Sequence, residues 1–207
     1  MIAVRITTQG FQEKLDRTLR AARNPRAVMA AVGREGANQL KNHFRQKDRT
    51  DVNKLGGPRE HFWNKVAQSV QSPVLNAAGN VVSININDPR FAQKVFGGVI
   101  RAKRVKNLAI PQTAEAYGRA PSTFEAETGF DLFFVSTRGA GVLARRVGEA
   151  GLQVEYILKP SVKQDPDPTA LPDQQKFEQA LADRADKVLQ RQLSSGSGAP
   201  PIGGTTA

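Results

Sequence analysis

The sequence predicts an α+β fold: an antiparallel sheet packed by N-terminal helices, with extended arms and a C-terminal helix. Three observations predict it. Between residues 25 and 44, Val28, Val32, Leu40 and Phe44 recur at the spacing of one helix face. From 74 to 86 and from 130 to 158 the pattern shortens to β-branched and aromatic runs around glycine-bearing turns, the mark of antiparallel hairpins. After Pro172 the helical period returns, with Phe177, Leu181, Val188 and Leu189 as its apolar stripe.

In order, residues 2–8 alternate Ile2, Val4 and Ile6 against Ala3, Arg5 and Thr7 and read as an opening strand. Phe11, Leu15, Leu19 and Ala22 give a first helix. Asn24-Pro25 interrupts it and starts a second, with Asn as cap and Pro in the first turn. Gly33 and Gly36 weaken that helix but permit a close approach by a neighbour. Residues 46–60 form a charged loop, and Pro58 opens a short helix burying Phe62, Val66 and Val70, with Trp63 beside them. Val74-Leu75 and Val81–Ile86 flank Asn76–Asn80 as a hairpin, with Val82, Ile84 and Ile86 on its inner face.

The segment Phe91–Pro111 reads as a short helix, a Gly97-Gly98 stop, a cationic strand over 99–106, and an apolar return, Leu108–Ile110. Four cations on both faces of one strand exclude burial at its centre, so Arg101, Lys103, Arg104 and Lys106 face a partner. Phe91, Val95 and Phe96 would anchor this arm. Residues 112–129 are a further arm with helical pieces around Glu115 and Glu125. Phe130–Thr137, Val142–Val147 and Leu152–Leu158 form a meander, with Phe130, Phe133 and Phe134 in the core. Residues 159–172 carry four prolines and read as extended. Residues 1–193 are taken as one domain, and 194–207 have the composition of a flexible tail.

A net charge of +11 on 207 residues points to nucleic acid, an acidic protein or anionic lipid as partner, or simply to solubility. The basic residues cluster at Arg45-Lys47-Arg49, at 101–106 and at Arg145-Arg146. No apolar run approaches the ~20 residues of a membrane helix. The opening residues lack a signal-peptide block, so the chain is expected to be made in a cytosol. With no cysteine, disulfides and thiolate sites are excluded.

Catalytic patterns are sparse. His43 and His61 have no metal-spaced partner in the sequence, and the glycine pairs lack the lysine and hydroxyl of a phosphate loop. Glu125, Glu127, Asp165 and Asp167 read as solvated loop acids rather than a general acid–base pair. No catalytic, metal or cofactor site is therefore assigned, and no enzyme is expected.

Arg59-Glu-His-Phe-Trp63, the Phe-Gly-Gly-x-Ile of 96–100, the cationic strand, and Leu108-Ala-Ile-Pro111 followed by Glu115-Ala-Tyr-Gly118 occur together. The set resembles the tailed-bacteriophage virion morphogenesis proteins, the neck or tail-completion family with its Mu-type members, over residues 25–160. Where that family often carries His before Phe-Gly-Gly, Val95 stands here. The resemblance implies a non-enzymatic head–tail connector or tail-completion subunit, assembled in a ring, commonly a hexamer, between the capsid portal and the tail. Its partners would be copies of itself and other neck, adaptor and tail proteins, with nonspecific contact to DNA in the channel and none to membrane. Its place would be the virion neck, after synthesis in the host cytoplasm. The interface candidates are Arg59, His61, Trp63, Phe96, Gly97, Gly98, Arg101, Lys103, Arg104 and Lys106. The other reading is a basic DNA-binding accessory protein.

Overall fold

Pro25 opens a 26-residue helix, α1 (Pro25–Thr50), at the position where a missing N–H removes no hydrogen bond. The computed structural model describes residues 2–5, 25–52, 55–57, 60–137, 141–149 and 151–195. The expected helix around Phe11–Ala22, Arg59, the turn at 138–140 and the tail from 196 lie outside these residues. The other elements are β1 (Ile2–Arg5), α2 (Phe62–Ser69), β2 (Val74–Leu75), β3 (Val82–Ile86), α3 (Phe91–Phe96), β4 (Gly98–Arg101) and β5 (Leu108–Pro111). They are followed by α4 (Pro121–Thr128), β6 (Phe133–Ser136), β7 (Gly141–Val147), β8 (Gly151–Lys159), β9 (Ser161–Gln164) and α5 (Gln174–Ser195). The fold class is α+β, with every sheet antiparallel.

The sequence reading takes 1–193 as one domain. Contacts within the chain divide it into two compact units. One comprises α1 up to Arg45, Lys65–Phe91 and the chain from Pro168. The other comprises Gln46–Asn64 and Ala92–Asp167.

In the first unit the strands lie in the order β1-β3-β2. Val82, Ile84 and Ile86 are buried while Ser83 and Asn85 are only half-buried, as the alternation predicts. Val82 joins Val28, Met29 and Val32 of α1 and Leu181, Ala185 and Leu189 of α5 in one apolar cluster. The carboxylate of Asp173 accepts the Lys176 N–H at 3.0 Å, so α5 begins at Gln174, two residues after Pro172. Gly33 is where α1 meets the hairpin. A β-carbon there would stand 2.5 Å from Val82 Cγ2 and 2.9 Å from Pro73 Cβ.

In the second unit a four-stranded sheet runs β5-β8-β7-β6 and contains the expected meander. The segment 112–129 is not an extended arm, and the helical piece expected around Glu125 is α4. Pro121 starts α4, and Gly129 at φ 71° stops it by donating its N–H to Glu125 O at 2.9 Å. Phe124 and Ala116, both fully buried, pack with Tyr156 against Ala109, Leu132 and Leu143. The Phe130–Phe134 run is also corrected: Phe130 and Phe134 are exposed. β6 is a sheet edge, and the Phe134 ring lies over Gly141 of the next strand, where no side chain competes for the space.

The cationic strand expected over 99–106 ends at Arg101. β4 pairs with β9 from Gly98↔Gln164 to Arg101↔Ser161, and β5 resumes against β8 at Leu108↔Lys159. Residues 102–107 thus stand opposite Pro160 alone and leave the ladder as an excursion. A proline has no N–H to hold a strand beside it, and a run of like charges disfavours close pairing. Within 159–172, expected to be extended, Lys159 ends β8 and Ser161–Gln164 form β9. Among the described residues no helix is long and apolar enough to cross a membrane.

Gly33→Ala tests the close approach. Helix propensity favours alanine by about 1 kcal/mol, but overpacking against Val82 and Pro73 costs about 1–3 kcal/mol. The expected outcome is a net loss of stability in urea unfolding. A stabilised variant would show that the two elements can separate without cost.

Candidate functional site

Of the three basic clusters, two are partly internal. Lys47 is only 9% exposed. Its ammonium lies 2.9 Å from Asp51, 3.2 Å from Asp167 and 4.9 Å from the centre of the Trp63 ring. The Trp63 indole N–H donates to Asp51 at 3.0 Å, so one carboxylate serves both groups. Asp48, on the next position of α1, accepts the Asn64 N–H at 3.0 Å and lies 2.8 Å from His61 Nδ1. A carboxylate from α1 therefore caps α2, which begins at Phe62; Pro58, the expected start, lies outside the described residues. His61 has φ 50°, a conformation that cannot continue a helix backwards. It and Trp63 are thus parts of one polar knot.

The knot extends to α3. Lys94 Nζ sits 5.6 Å from the centre of the Phe62 ring, and Lys94 O accepts the Asp167 N–H at 2.8 Å. Asp167, read from sequence as a solvated acid, is held at both its backbone and its carboxylate. Gly97 follows at φ 66°, donating its N–H to Gln93 O at 3.0 Å, and Gly98 has φ 127°. A β-carbon on Gly97 would stand 2.7 Å from Gln164 O and 2.8 Å from Pro166, so only glycine fits there.

Beyond those glycines the surface changes character. Phe96 is 71% exposed and Val99 52%, so Phe96 does not anchor the arm. All four residues of β4 are exposed. Arg101, Lys103, Arg104 and Lys106 are exposed, and none has a carboxylate within ion-pair distance among the described residues. Val105, at 65% exposure, stands among them. Phe96, Gly98, Arg101, Lys103, Arg104 and Lys106 are therefore exposed along one segment, with Gly97 half-buried at its start. His61 and Trp63 lie at its root and not on it.

In the third cluster Arg145 is interior and Arg146 is exposed. A register shift between Leu143 and Ala144 leaves Glu155 as the extra residue of β8 and turns its carboxylate inward, fully buried. Arg145 meets it at 2.8 Å and also meets Glu115 at 2.7 Å. The Arg145–Glu155 approach is a charge contact whose angle departs from a hydrogen bond, while Thr113 Oγ1 donates to the other Glu155 oxygen. The guanidinium lies 5.8 Å from the Phe124 ring centre and 4.2 Å from that of Phe130. Tyr156 donates its hydroxyl to Ala116 O at 3.3 Å and Arg119 O at 3.2 Å. Glu125 accepts the Leu132 N–H and Glu127 pairs with Arg119, so both acids are structural. Among the described residues no three His, Asp or Glu side chains are grouped to hold a metal. Sequence reasoning missed Lys47, Asp51, Asp167, Arg145 and Glu155; only the rarity of fully solvated tryptophan hinted that Trp63 had partners.

The chain matches no family model, and comparisons with curated proteins and with solved structures find no significant similarity.

Two outcomes follow. Glu155→Ala leaves Arg145 without its buried partner and is expected to destabilise the protein by about 3–5 kcal/mol in chemical unfolding, a loss that surface pairs do not approach. Burial raises the Tyr156 phenol above its usual 10.0, Glu155 adds to this and Arg119 opposes it. Its folded form thus holds the proton more tightly, a stabilisation present below pH 10 and lost as pH rises through the raised value. Tyr156→Phe is expected to flatten the alkaline fall in stability while costing about 1 kcal/mol at neutral pH.

Proposed function

We propose that this chain is a structural subunit of a bacteriophage neck ring, joining the capsid portal or adaptor to the tail. The observation that carries the reading is the β4 segment. Phe96, Val99 and Val105 are exposed large apolar side chains beside four cations without acidic partners among the described residues, a surface an isolated monomer has no use for. A subunit that assembles with copies of itself and with neighbouring layers does use one. The motifs that resemble those of the virion morphogenesis proteins flank this surface: His61 and Trp63 hold the root, Phe96-Gly-Gly forms the exit, and Leu108–Pro111 returns as β5. The reading makes the protein non-enzymatic, free of cofactor, and resident in the virion neck.

Particles assembled without this protein are expected to accumulate as full heads and separate tails. Normally joined particles in electron micrographs would refute the proposal.

The four cations also favour a second reading, a basic accessory protein that binds DNA without sequence preference. Engaging four phosphates on a duplex makes affinity fall about a hundredfold between ~50 and ~200 mM salt. That slope in a titration with random duplex would support it; no duplex binding at low salt would remove it.

A further inference from the structure

β4 has a strand on one edge only. It pairs with β9 in a two-stranded sheet, and no strand pairs with its other edge among the described residues. The Ala102 N–H donates to Pro160 O at 3.2 Å, so Ala102 faces the β9 side. In an antiparallel ladder the direction of N–H and C=O alternates with each residue. Ile100 therefore faces β9 as Ala102 does, and Val99 and Arg101 turn their N–H and C=O toward the unpaired edge.

Proteins commonly blunt such an edge with charge. The charges here act selectively. Arg101, Lys103, Arg104 and Lys106 repel the same edge of a second copy, whose cations are identical. They attract a strand that carries carboxylates. Along Gly98–Pro111 and Lys159–Asp165 there are six cations, Arg101, Lys103, Arg104, Lys106, Lys159 and Lys163, and one acid, Asp165. Asp165 is itself 3.8 Å from Lys163. Exposed Phe96 and Val99 add an apolar contact that phosphates would not cover.

We infer that β4 is an acceptor edge for strand addition, taking an extended acidic segment of another protein. The incoming backbone pairs with Val99 and Arg101, its carboxylates meet the four cations, and its apolar side chains cover Phe96 and Val99. This deepens the neck-ring reading by giving the partner's chemistry, and rests on it only in taking the partner to be protein.

The test uses the full chain, a synthetic peptide of alternating glutamate and valine, its lysine–valine counterpart, and a random DNA duplex. The glutamate peptide is expected to bind at low salt and slow amide exchange at Val99 and Arg101 while leaving Ile100 unchanged. Val99→Pro removes one outward N–H without touching the bonds to β9, and is expected to weaken the peptide about tenfold. Absent protection of those two amides in the unmutated protein overturns the inference, whatever the variant's folding. So does equal affinity of Val99→Pro, or duplex that displaces the peptide and protects the same residues. Peptide binding by a protein dispensable for head–tail joining would refute the ring and leave the acceptor edge standing. Normal joining by particles carrying Val99→Pro would do the reverse.

Discussion

Lys47 decides where the second unit's segments meet. Its ammonium is almost out of water, and a cation so placed is tolerated only when its charge is balanced and its protons are used. Asp51 comes from the following turn, Asp167 from more than a hundred residues later, and Trp63 offers its ring face. Satisfying one side chain therefore brings 47–51, 61–64 and 165–167 to one place. α3 follows through Lys94, and the glycines direct β4 away from that anchorage. The exposed segment is a consequence of a buried charge.

The same logic operates under the four-stranded sheet. A regular β8 would have alternated Glu155 to one side and kept the ladder in step. The shifted register instead buries its carboxylate, and Arg145, Thr113 and Gln112 gather on Glu155. Glu115 and the rings of Phe124 and Phe130 complete the surroundings of Arg145. Such an arrangement gains little stability over an apolar core of equal volume, but it strongly penalises any packing that separates its members. It holds residues 112–130 on the sheet where apolar contact alone, through Phe124 and Ala116, would hold them loosely.

The elements built on a repeating apolar pattern were legible in the sequence. α1, the β2–β3 hairpin, the meander and α5 each place several side chains in a core, and the pattern records that. α4 was legible only as a helical piece around Glu125, without bounds, because Phe124 is its one fully buried residue and a single side chain has no period. The knot was hidden for a different reason: Arg45-Lys47-Arg49 looks like a solvated basic run, and only tertiary contact separates Lys47 from its neighbours. Arg145 and Arg146 form an adjacent pair of which one is inside and the other out. Phe96 was misplaced because an aromatic four or five residues from Phe91 suggests a shared apolar face. The candidate surface was legible as charge, and its edge geometry was not, since nothing in the sequence shows that Pro160 stands opposite the cations.

That proline and the six residues facing it have a further effect. Pairing on the two sides of the interruption is set independently, by Arg101↔Ser161 on one side and Leu108↔Lys159 on the other. Residues 102–107 can lengthen, shorten or change charge without sliding either ladder past its neighbour. Most positions in a sheet are coupled to the alternation of the whole strand, and a one-residue insertion inverts every face beyond it. Here the chain has a site where a change in length is decoupled from the fold, placed where the protein meets the outside.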